Sequence, residues 1–252
     1  MKKRRWFSLF LSFALLLPLF SLTSADAYED FDLDAKAGLL IEADTGEILY
    51  EKNAHQENFP ASLTKVMVAL LVFEAIDEGK IALTDSVTAT ESAFEGLSSD
   101  GSTANIVPGE TMTVEQLLNC MLIVSANEAC NILGETLYGS VDAFVARMNE
   151  RATELGCEHT HFANATGLHN SQHYTTAWDL YLITREAMKH DKFMEICNSK
   201  SYTVPATNMT DKPRELHSTN FLISNWRARG YVYRDAQGIK TGSTPEAGYC
   251  LI

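Results

Sequence analysis

Ser62 and Lys65 stand three residues apart at the start of residues 58–76, a stretch with no other charge before Glu74. On a helix, residues i and i+3 share a face. A serine hydroxyl is a poor nucleophile until a neighbouring base takes its proton. Lysine is that base only when neutral, which means lowering its pKa from about 10.4 by roughly 3 units, or about 4 kcal/mol. Burial among apolar side chains and a second nearby cation both push in that direction. The same two residues also suit a lysine snorkelling off a core helix beside a capping serine, and Ser-x-x-Lys arises about once by chance in a chain of this length.

Two further groups could share such a site. Ser-x-Asn occurs at Ser125-Ala126-Asn127 and at Ser218-Thr219-Asn220. The first interrupts two apolar helical runs, where a short loop can point a hydroxyl and an amide into a cleft; helix capping is its ordinary use. Lys240-Thr241-Gly242 is the one Lys-[Ser/Thr]-Gly in the sequence and falls in a β-like segment. There a lysine offers positive charge, a threonine a hydroxyl donor, and a glycine room for a ligand's backbone. An edge-strand lysine that blocks sheet pairing is the alternative.

The elements that must hold these residues follow from pattern. Residues 37–43 and 47–50 read as strands around Asp44-Thr45-Gly46, and Pro60 marks the start of the helix bearing Ser62 and Lys65. Residues 86–88 read as a short strand. Thr113-Val114-Glu115-Gln116 has the shape of a capping box shifted by a residue, opening a helix whose apolar run continues to Val124. Helices are predicted over 128–138, 141–155 and 176–189, and strands over 201–204, 230–233, 238–242 and 248–252. Strands at both ends with helices between them predict an α/β (α+β) fold, in which the terminal strands pair into one antiparallel sheet flanked by helices. The chain stops on an apolar β segment at Ile252, so it is expected to be C-terminally truncated.

Composition bounds the function. At 252 residues and 46% hydrophobic content the chain suits a globular unit and is too apolar for disorder. Lys2, Lys3, Arg4 and Arg5, the apolar residues 6–20 and Ala25-Asp26-Ala27 form the three parts of a secretory signal peptide over residues 1–27. About 15 apolar residues interrupted by Pro18 fall short of the roughly 20 that a membrane span needs. Losing those four bases and one acid takes the net charge from −13 to −16, which argues against nucleic acid or an anionic membrane as a partner of the general surface. Cys120, Cys130, Cys157, Cys197 and Cys250 show no CxxC and predict no disulfide framework. His159, His161, His169 and His173 cluster in the sequence, but the His169/His173 pair lacks an intervening glutamate and lies among Asn and Ser. They are expected to pack loops; no metal and no cofactor is expected.

Ser-x-x-Lys on an N-terminal helix, Ser-x-Asn between helices and Lys-Thr-Gly on a late strand form, in that order, the set shared by penicillin-binding proteins and class A β-lactamases. With Phe59-Pro60-Ala61-Ser62-Leu63-Thr64-Lys65, Ser125-Ala126-Asn127-Glu128-Ala129-Cys130, His161-Phe162-Ala163-Asn164-Ala165-Thr166-Gly167-Leu168 and Gly238-Ile239-Lys240-Thr241-Gly242, the sequence from about Ala37 onward resembles the low-molecular-mass penicillin-binding proteins that act as serine D-alanyl-D-alanine carboxypeptidases. The resemblance implies their fold, including an all-helical subdomain, with residues 28–252 as an incomplete catalytic domain. It implies Ser62 as acylated nucleophile, Lys65 as base and Ser125 as proton relay. Asn127 would orient the substrate or Lys65, and Lys240 and Thr241 would hold the substrate's carboxylate end. Gly242 would line the substrate's path, and the backbone N–H groups of Ser62 and Ser243 would form an oxyanion hole. The implied activity removes the terminal D-alanine from peptidoglycan stem pentapeptides outside the cytoplasm, in cell-wall biosynthesis, with β-lactams acylating Ser62.

Two departures stand out. Some members carry an arginine where this chain has Thr219, and the family continues past Ile252 into further strands, a small β domain and a C-terminal membrane anchor absent from this chain. Alternatives on the same residues are a D,D-endopeptidase, a penicillin-binding module with little turnover, or a β-lactamase. The last needs a deacylating glutamate, and Glu115-Gln116-Leu117-Leu118-Asn119 matches its motif only upstream of Ser125, so Glu115 is read instead as a helix first-turn acid.

Overall fold

A helix apolar on every side has to be enclosed, and α1 (Lys65–Asp77) is: Lys65 through Phe73 are all buried. Four helices surround it in the computed structural model, which describes residues 32–252. They are α2 (Val114–Ile123), α3 (Asn127–Tyr138), α4 (Val141–Glu154) and α5 (Ala177–Ala187). Each Val, Leu or Phe so enclosed contributes about 1.5–3 kcal/mol relative to exposure. The short α6 (Asp191–Cys197) lies against α2 and adds Phe193, edge-on to Phe73. Residues 36–252 form one compact unit.

Local chemistry sets the helix boundaries. Thr113 accepts from the Gln116 N–H at 3.2 Å while Gln116 Oε1 accepts from the Thr113 N–H at 2.9 Å, so the capping box is in register and not shifted by a residue. Ser140 and Thr176 cap α4 and α5 through the N–H groups of Ala143 and Asp179. Gly139 ends α3 at φ +80°.

The strands pair only with their sequence neighbours, as four antiparallel ladders: β1 (Gly38–Ile41) with β2 (Ile48–Lys52), β3 (Ser86–Thr88) with β4 (Thr111–Thr113), β5 (Ser201–Val204) with β6 (Arg214–His217), and β7 (Thr241–Thr244) with β8 (Gly248–Leu251). The mixed α/β class holds, but the expected single sheet of terminal strands is corrected: among the described residues no ladder joins β1–β2 to β7–β8. Each hairpin closes its ladder across its own turn, and the two rest on different parts of the helical layer. β1 lies on α5, and β7 lies on the turn before α1. Residues 230–233, expected as a strand, are irregular and exposed: among the described residues they join no ladder, and Tyr233 makes a single backbone bond to the Leu222 carbonyl at 2.9 Å. Strands β4 and β6 and helix α6 were not expected.

The signal-peptide reading falls outside the described residues. Among the described residues no helix is long and apolar enough to cross a membrane.

Candidate active site

Ser62 sits not on α1 but on a single 3₁₀ turn, Ala61–Thr64, that runs into it. In a 3₁₀ turn residues i and i+3 eclipse, so the pairing expected of an α-helix survives: Lys65 Nζ lies 3.0 Å from Ser62 Oγ. Ala61 holds φ +47°, and its carbonyl accepts from the Thr64 hydroxyl at 2.8 Å. Two glycines from distant parts of the chain close on this turn. A methyl group on Gly167 would lie 1.9 Å from the Ala61 carbonyl oxygen, and one on Gly242 would lie 2.9 Å from the Ser62 nitrogen. Only glycine allows the backbones to approach this closely.

Lys65 is fully buried and makes two further bonds, to Asn127 Oδ1 at 2.9 Å and to the Thr166 carbonyl at 2.5 Å. Its pKa is pulled below the ordinary lysine range by burial, with Cys130 and Glu128 opposing in part. The partner set matters. A carbonyl and an amide oxygen can only accept, so each requires an N–H from Lys65. A neutral amine has two such hydrogens and one lone pair, and Ser62 Oγ is the one partner able to donate into that lone pair. The neutral lysine is therefore fully satisfied when it accepts from Ser62.

Lys240 immediately precedes β7 and is 1% exposed. The solvated edge-strand alternative is thereby corrected: the side chain is enclosed, and its Nζ donates to the Thr241 carbonyl at 2.8 Å. Burial first, and then repulsion by Lys65, bring its pKa down to about 7. Lys240 and Ile252 exchange backbone bonds of 3.2 and 2.9 Å. Antiparallel alternation from that pair turns the Ser243 N–H away from β8, toward the free edge of β7.

Ser125 joins α2 to α3 at φ +66°, and its hydroxyl is buried without a hydrogen-bond partner among the described residues. Asn127 opens α3, and Glu128 behind it accepts from the Thr103 hydroxyl (2.7 Å) and the Ala104 N–H (2.8 Å), tying that loop to the Ser-x-Asn segment. Thr219 Oγ1 lies 2.6 Å from Thr241 Oγ1.

Sequence reasoning missed Thr166, whose contribution is a backbone carbonyl, and the buried His173, which meets Thr64 Oγ1 at 2.8 Å. A glycine inside a polar loop was the available signal for the first. His173 is separate from its sequence neighbours in its contacts: His159 faces Glu57 and His169 lies edge-on to Phe59. Among the described residues no His, Cys, Asp or Glu group is arranged to hold a metal. Glu115 stands in the first turn of α2 and pairs with Lys192 at 2.6 Å. All five cysteines are free thiols.

Comparison with known proteins gives consistent matches. The model of the D-alanyl-D-alanine carboxypeptidase family matches residues 23–252. The chain is 40% identical over 218 residues to the D-alanyl-D-alanine carboxypeptidase DacF of Bacillus subtilis (strain 168), covering 86% of this chain and 53% of that protein. It is 32% identical over 241 residues to the D-alanyl-D-alanine carboxypeptidase of Streptomyces sp. (strain K15), covering 91% and 79%. The crystal structure of the Streptomyces K15 DD-transpeptidase superposes with a TM-score of 0.78 at 32% identity, covering 89% of this chain and 86% of that one. Against DacF, the chain spans about half the relative's length.

Proposed function

The chain belongs to the D-alanyl-D-alanine carboxypeptidase family, and from that premise we propose that it is a serine acyl-enzyme hydrolase acting on peptidoglycan stems that end in D-Ala-D-Ala. The observation that carries this reading is the bonding of Lys65, whose acceptor-only partners leave its lone pair for Ser62. Ser62 Oγ attacks the carbonyl of the penultimate D-alanine as its proton passes to Lys65 Nζ. The backbone N–H groups of Ser62 and Ser243 stabilise the developing oxyanion. The C–N bond then breaks, the leaving amine takes a proton by way of the Ser125 hydroxyl, and D-alanine departs. Water adds to the ester and regenerates Ser62.

Asn127 fixes Lys65. Lys240, with Thr241, receives the terminal carboxylate beside Gly242. Residues 28–252 constitute the catalytic domain after removal of a signal peptide, and the enzyme works outside the cytoplasm on cell-wall stems, with consequences for cell shape. β-Lactams acylate Ser62 because they present the same acyl group.

The test pairs D-alanine release from a peptide ending in D-Ala-D-Ala with intact mass after exposure to a penicillin. Release, and a penicillin-sized mass gain absent from Ser62→Ala, are expected. A folded chain that shows neither refutes the reading.

A further inference from the structure

His173 is 2% exposed, and both of its ring nitrogens are engaged. Nδ1 faces the Ala163 N–H at 3.1 Å, so that nitrogen accepts and carries no proton. The remaining hydrogen is therefore on Nε2, which donates to Thr64 Oγ1 at 2.8 Å. Thr64 passes its own hydrogen to the Ala61 carbonyl, the residue before Ser62. The direction of the whole chain, from imidazole to hydroxyl to carbonyl, is set by the one backbone N–H at Ala163.

The two ends of this chain belong to the two halves of the site. Thr64 and Ala61 are in the turn that carries Ser62. Ala163 begins the loop in which Asn164 Oδ1 accepts from the N–H groups of Thr166 (3.1 Å) and Gly167 (2.8 Å). That loop presents the Thr166 carbonyl to Lys65 and presses Gly167 against Ala61. Beside the Lys65–Thr166 bond at the end of the turn, His173 is the hydrogen-bonded link between residues 61–64 and 163–167 among the described residues.

We propose that His173 is a positioning residue for acylation: one neutral imidazole spans the Ser62 turn and the Thr166 loop, and so sets the distance and direction between nucleophile and base. The inference rests on the acyl-enzyme reading above. Neutrality is essential to it, because a proton on Nδ1 would confront the Ala163 N–H donor to donor. The surroundings keep it neutral: burial first, then His161, Lys65 and His169 facing the ring, bring its pKa down to about 4.

The experiment measures penicillin acylation of the wild-type chain, His173→Leu, His173→Gln, Thr64→Val and the double variant His173→Leu/Thr64→Val at pH 7.5. Initial binding and the acylation rate constant are resolved separately, and the folded fraction is measured alongside. His173→Leu and Thr64→Val are each expected to slow acylation on the order of 10–100-fold, as a small misplacement of reacting groups does, with initial binding changed by less than about twofold. The double variant should be no slower than the worse single, and His173→Gln, whose amide can still donate to Thr64, should recover part of the loss. A purely structural role would lower the melting temperature and leave the rate constant of the folded molecules at the wild-type value; that result overturns the proposal. Should His173→Leu not fold, Thr64→Val decides by the same criterion. An unlabelled wild-type chain removes the acyl-enzyme reading and this inference with it, whereas labelled wild type and variants at one rate remove this inference alone.

Discussion

The hydroxyls of Thr219 and Thr241 lie 2.6 Å apart, so Thr219 orients the threonine of Lys-Thr-Gly. Thr219→Val removes one hydrogen bond of about 1 kcal/mol, which corresponds to a roughly fivefold higher KM for a D-Ala-D-Ala peptide with kcat nearly unchanged. Steady-state kinetics on the purified variant check it. A fall in kcat at constant KM would contradict a role confined to the carboxylate end.

Gly167→Ala places a methyl group 1.9 Å from a backbone carbonyl oxygen at a residue with φ +85°. Backbone cannot step aside as a side chain can, so the expected cost is about 3 kcal/mol or more, combining overpacking with left-handed strain. Gly139→Ala is the control: φ is +80° there, but nothing lies within 4 Å, so strain alone costs about 1–2 kcal/mol. Urea unfolding of both variants measures the difference. Equal losses would show that the Ser62 turn yields.

Lys240, with a pKa of about 7, loses its charge as pH rises through that value. KM for a substrate ending in a carboxylate is therefore expected to rise above pH 7, while Lys65 needs the opposite change, since it works as a base only when neutral. A bell-shaped kcat/KM profile follows, its alkaline limb belonging to Lys240. Lys240→Arg, which stays charged, should abolish that limb.

His173 titrates near 4 when folded and near 6.5 when unfolded. Below 6.5 the unfolded chain takes up the proton first, so stability falls as pH drops from 6.5 toward 4 and then levels. The full difference is about 3 kcal/mol, an order-of-magnitude figure. Urea midpoints for wild type and His173→Gln across pH 4–7 test it: the wild-type loss should exceed that of the variant.

What could be read from the sequence was what is local. Ser62 with Lys65, the Thr113–Gln116 cap and the break at Ser125 each depend on residues a few positions apart, and each stands at or beside the expected position. The order of the three motifs then pointed to a common site, and the structure brings two of its residues, Lys65 and Asn127, together across 62 residues. Tertiary approach left no such mark. Every residue has a carbonyl, so nothing distinguishes that of Thr166 before the loop folds against Lys65. The β4 partner of Ser86 is Thr113, with no short turn between them to signal a hairpin. Tyr231-Val232-Tyr233 has strand-like side chains but no neighbouring ladder, and propensity without a partner makes no strand.

The turn carrying Ser62 is wedged between Gly167 and Gly242, which lie 105 and 180 positions further along the chain. On the acyl-enzyme reading, the chain therefore carries its serine long before the two glycines that shape its turn, and Ser62 is expected to become reactive only once β7 has docked. A covalent penicillin label is then expected to count molecules that have made this last tertiary contact.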